Sequence, residues 1–154
     1  FGVSTSIIYG KAPKTGATPS GRRSGGPLAQ SLQPATVGPQ GSTTQVLRSC
    51  CAVDARRYPG GISNVQECDP SLFTGEDGLG RLCDLVRGFL DTGGMELSVN
   101  FTDEEKLRAA QADPERFRHL TVRLFGMSAH FIDLSREVQE DVIARVAAAC
   151  RRGA

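Results

Sequence analysis

Residues 120–131 read Leu120-Thr-Val-Arg-Leu-Phe-Gly126-Met-Ser-Ala-His-Phe131. Leu120 to Phe125 is a strand-like run, and one glycine interrupts it before the apolar character resumes. Glycine adopts positive φ without a steric penalty, so on local pattern alone Gly126 reads as a tight turn. The residues on either side are organised by periodicity.

Upstream, Thr74 and Asp77 mark a helix start. Leu79, Leu82, Leu85, Val86, Phe89 and Leu90 follow at helical spacing, and Gly93–Gly94 stops them. Met95, Leu97, Val99 and Phe101 then alternate with Glu96, Ser98 and Asn100, which predicts a half-buried strand with its apolar set inward. Thr102 and Glu105 form a capping box for a helix to about Ala112, and Asp113–Pro114 restarts a helical turn. Downstream, Ser135 caps a last helix whose Val138, Val142, Val146 and Ala149 share one face, with Gly153 after its end. The predicted body is helix, strand, two short helices, strand, glycine loop, helix.

The first third differs in composition. All 17 acidic residues lie from Asp54 onward, while Lys11, Lys14, Arg22, Arg23 and Arg48 precede it. Lys11 to Ser42 is rich in Gly, Pro, Ser and Thr and cannot form a helix of useful length. It reads as an irregular basic arm, either a flexible tail or a segment ordered by lying on something else. Val3–Tyr9 is a strand candidate with no neighbouring partner.

The chain has 154 residues and a net charge of +1, which argues against nucleic-acid binding by charge alone. No apolar run approaches the roughly 18 residues of a membrane span, and no basic-then-apolar leader is present, so neither a membrane nor a secretory route is expected. Five cysteines read as free thiols in a reducing compartment, the cytoplasm. Cys83, on the apolar face of a predicted helix, reads as a small core residue.

Several chemistries are disfavoured by spacing. Gly16-Ala-Thr-Pro-Ser-Gly21 has P-loop glycine spacing, but Arg22-Arg23 stands where Lys-Ser/Thr should follow. There is no C-x-x-C pair, and His119 and His130 stand eleven apart, so no metal site is expected. Gly-x-Ser-x-Gly is absent, and two histidines make a hydrolase triad a poor fit.

Taken as blocks, residues 15–34 (TGATPSGRRSGGPLAQSLQP), 94–101 (GMELSVNF), 103–120 and 122–145 resemble the C-terminal region of the glycyl radical enzymes. That family includes pyruvate formate-lyase, diol and choline lyases, arylacetate decarboxylases and the fumarate-adding succinate synthases. Thr18-Pro-Ser-Gly-Arg22 resembles the family's T-P-D-G-R, with Ser20 for Asp. Arg123-Leu-Phe-Gly126-Met resembles its R-V-x-G-Y radical loop, with Leu124 for Val and Met127 for the aromatic.

The resemblance implies an α/β fold: the C-terminal portion of a ten-stranded β/α barrel, with a mostly helical body, a glycyl radical loop and an extended N-terminal arm. Residues 1–60 would be a barrel strand and basic arm packing on a partner, and 61–154 the glycyl radical domain. Gly126 would bear the radical, within a loop of Arg123, Leu124, Phe125, Met127 and Ser128. A glycyl centre needs a planar α-carbon conjugated with both flanking peptides, which a side chain would crowd. Leu124, Phe125, Met127 and Phe131 would bury it. The family's catalytic cysteine lies several hundred residues before the glycine, so the implied partners are a large barrel subunit carrying it and an activase using S-adenosylmethionine and a 4Fe-4S cluster. Cys50–Cys51 lies in the wrong block for that role and reads as structural. The implied function is radical storage in a split lyase, dehydratase or carbon–carbon bond enzyme. A spare part for an oxygen-cut enzyme, or an interaction module with a decayed loop, are the alternatives.

Overall fold

The structure, a computed structural model, describes residues 10–29, 32, 41–124 and 127–153. The strand expected over Val3–Tyr9 lies outside them. Their elements run α1 (Thr43–Cys51), β1 (Ser63–Cys68), α2 (Gly78–Asp91), β2 (Glu96–Phe101), α3 (Glu104–Ala112), β3 (Thr121–Leu124), β4 (Met127–His130) and α4 (Arg136–Gly153). Short 3-10 turns cover Ala12–Lys14, Ala55–Arg57, Pro70–Phe73 and Phe131–Asp133.

The described fold is mixed helix and sheet. β1 and β2 form a parallel pair with Ser63 opposite Glu96 and Cys68 opposite Phe101, α2 lying in the crossover between them. β3 and β4 form an antiparallel hairpin. Among the described residues these are two separate two-stranded sheets rather than a closed barrel.

The core lies between α3, the hairpin and α4. Leu107 and Ala110 of α3 meet Val122 and Leu124 of β3, Phe131, and Val142, Ile143 and Val146 of α4. Each Val, Leu or Ile removed fully from water there contributes about 1.5–3 kcal/mol. The α4 stripe is the one the sequence predicts, and Ser135 Oγ accepts from the Val138 N–H. The helix runs one residue further than expected, through Gly153.

Two caps shift. Asp77, not Thr74, precedes α2, and its side chain makes no cap bond; Thr74 Oγ1 donates instead to Ser71 O, closing the preceding turn. Asp103, not Thr102, caps α3, accepting from Lys106 N at 2.6 Å. Gly93, at φ +99°, and Gly94, pressed against the Phe89 ring where a Cβ would collide, end α2 as expected.

Three elements depart from the sequence reading. α1 forms behind a Ser42/Gln45 capping box. β1 forms from Ser-Asn-Val-Gln-Glu-Cys, with Asn64, Gln66 and Glu67 all buried. Met127–His130, read as loop, is a strand because it pairs with β3.

The described part of the arm lies on this chain's own α4. Ala12 is buried, and Arg145, paired with Asp141 at 3.0 Å inside the protein, donates to Leu28 O at 3.3 Å. Among the described residues no helix is long and apolar enough to cross a membrane.

Candidate functional site

β3 presents Val122 and Leu124 inward and holds Arg123 between them. The register pairs Thr121 with His130, Val122 with Ala129, Arg123 with Ser128 and Leu124 with Met127. Phe125 and Gly126 join the last pair and lie outside the described residues. The structure therefore defines the stem on which the candidate glycine is carried. That stem is anchored on one side, because Leu124 and Phe131 belong to the core. Its outer strand is open: Met127 is 61% exposed on this chain, against the expectation that it buries the centre. Register puts Met127 on the same sheet face as its partner Leu124, so its exposure comes from its place at the open end of the hairpin, beyond the packed core.

Arg123 is the most heavily tied residue of the stem. Its N–H donates to Asn100 Oδ1 at 3.0 Å, and its carbonyl accepts from Asn100 Nδ2 at 3.0 Å. Its Nη1 donates to Ser128 Oγ on the opposite strand at 3.0 Å. Asn100 reverses the burial expected for β2: it is buried, while the apolar Met95 and Phe101 are half exposed. The β2 side chain beside Arg123 must bond to peptide groups, which an apolar residue cannot do. Phe101 packs edge-on against Phe73 instead.

Thr18-Pro-Ser-Gly-Arg22 forms a closed turn. Thr18 N donates to Arg22 O, Gly21 N donates to Thr18 O, and Gly21 sits at φ +91°. The Arg22 guanidinium folds back onto the carbonyls of Thr15, Gly16 and Gly26. These donors point at the loop's own carbonyls.

The cysteines are dispersed. Cys50 is buried on α1 with Sγ 3.2 Å from Leu32 O, and Cys51 Sγ lies 3.5 Å from Phe89 O. Burial pushes the Cys50 thiol up, outweighing the lowering by the nearby Asn64 amide. Cys83, expected in the core, is exposed on α2. Among the described residues no three His, Cys, Asp or Glu side chains cluster as metal ligands would.

The family model described as Glycine radical matches residues 28–132, more than half of the chain. The chain belongs to the glycine radical family. It is 35% identical over 130 residues to trans-4-hydroxy-L-proline dehydratase of Clostridioides difficile, covering 84% of this chain and 16% of that protein. It is 34% identical over 142 residues to isethionate sulfite-lyase of Desulfovibrio desulfuricans, covering 90% and 17%. The structure matches the glycerol-bound B12-independent glycerol dehydratase from Clostridium butyricum with a TM-score of 0.86 and 37% identity, over 92% of this chain and 18% of that one. The chain thus spans about a sixth of the length of the curated glycyl radical relatives it matches. It is homologous to the glycyl radical region of dehydratases and lyases.

Proposed function

We propose that this chain stores an unpaired electron on Gly126 and passes it to a cysteine on a large barrel subunit, which performs lyase, dehydratase or carbon–carbon bond chemistry. The Glycine radical match across the β3–β4 stem carries this reading. In activation, one α-hydrogen of Gly126 leaves as an atom to the activase's radical. In use, the S–H hydrogen atom of the partner cysteine returns to that α-carbon, restoring glycine and leaving a sulfur-centred radical. Leu124 and Phe131 anchor the stem, and Arg123 and Ser128 bridge its strands, so that the centre is held between transfers. A replacement part for an oxygen-cut enzyme is the second reading.

Anaerobic activation of the assembled protein should give a glycyl doublet in electron paramagnetic resonance, absent in Gly126→Ala. Air should then cut the chain at Gly126 and release a peptide beginning at Met127. Met127→Tyr should keep both signals, since the exposed Met127 side chain leaves room for the ring. If the assembled wild type gives neither doublet nor cleavage, only a non-catalytic interaction module is left.

A further inference from the structure

In an antiparallel pair, alternate residues turn both backbone polar groups away from the partner strand. The Phe131 N–H to Leu120 O bond, 2.8 Å, places Leu120 among the residues that face β4, and by alternation Val122 and Leu124. Arg123 therefore faces outward, toward a position where a wider sheet would have another strand. One side chain fills that position. The Asn100 amide, with a carbonyl and an N–H at peptide-like spacing, pairs with the Arg123 N–H and C=O together. Its Nδ2 also donates to Glu67 Oε1 at 3.0 Å, and buried Glu67 is its register partner on β1. A continuous chain Glu67–Asn100–Arg123–Ser128 thus runs from the parallel sheet through both strands of the hairpin.

We infer that Asn100 is the positioning residue of the glycyl centre, a one-residue substitute for a missing strand that fixes the hairpin three residues before Gly126. The inference rests on the reading of Gly126 as the radical site. Without Asn100 the outward groups of Arg123 lose this partner, and the stem loses its tie to the parallel sheet through Asn100. Opening of the hairpin, which on this reading exposes the centre to activase and oxygen, then becomes more frequent.

The test begins without a variant. In the unactivated protein the Arg123 amide should exchange with solvent as slowly as its neighbours Val122 and Leu124; exchange at an open-loop rate overturns the proposal. Asn100→Asp keeps shape and acceptor but loses the donor, and Asn100→Ala loses both. Arg123 exchange, the rate of activation and the rate of oxygen cutting should all rise, by roughly tenfold in the alanine variant and at least as much in the aspartate, whose new oxygen faces Glu67 and the Arg123 carbonyl. A merely structural role would lower the melting temperature and leave activation and cutting rates unchanged. Should the alanine variant fail to fold, wild-type exchange and the aspartate variant decide. A wild type without a doublet defeats the radical reading, while exchange still reports on the clamp. A wild-type doublet with all three rates unchanged in the variants defeats the positioning role alone.

Discussion

A thiol withdrawn from water resists ionisation, and the thiolate is the reactive form. Cys50, buried beside Leu32 O and pushed up by that burial, should therefore react slowly, while exposed Cys83 on α2 should react first. Iodoacetamide labelling of the native protein, followed by mass spectrometry, should show Cys83 modified early and Cys50 late. Cys50→Ser with Cys51→Ser should leave the glycyl doublet in place. Gly126 stood out in the sequence because an apolar run is broken by a lone glycine inside a recognisable block. Asn100 did not, because an asparagine at the polar position of an alternating strand reads as facing water. Its role depends on Arg123, which is distant in sequence and turns its peptide groups outward only once β3 has paired.

Elements were legible where one apolar face repeats. α4 and α2 followed from their spacing, and so did β2. β1 was hidden because its buried positions hold Asn64, Gln66 and Glu67, leaving no hydrophobic alternation to read. α1 was hidden behind an arm of Gly, Pro and Ser, although Ser42 and Gln45 form a reciprocal cap. β4 was hidden because its exposed residues owe their conformation to pairing alone. Outside the core a polar tie also joins α3 to α4. Arg108 donates to Glu140 at 2.7 Å, Gln111 adds a second bond, and Arg136 lies 3.2 Å away. The Arg108 bond chiefly, then that of Gln111, holds the Glu140 carboxyl below its ordinary 4.5. A depressed carboxylate stabilises the fold above its unfolded value, and that contribution is lost as pH falls through the folded value. Glu140 is exposed, so the effect is small. An NMR titration should place its midpoint below 4.5, and Arg108→Ala should move it back up.

On the scale of the molecule, the chain leaves apolar surface uncovered. Leu79, Leu90, Met95 and Phe101 are exposed, and a cavity of about 700 Å³ opens between α1 and α2, lined by Leu47, Leu72, Phe73, Leu85 and Phe89. The purified chain should enhance the fluorescence of an apolar dye, and assembly with a large barrel subunit should abolish the signal; an unchanged signal on assembly would count against that partner. The tie between Arg145 and Leu28 has a consequence for biosynthesis. The two residues are 117 apart, so the ribosome releases Leu28 long before Arg145 exists. The arm's resting place, α4, is made after the other described elements, and the parallel β1–β2 pair must likewise wait for α2. The arm thus stays undocked while every element between it and α4 is synthesised, and it settles only once α4 has emerged.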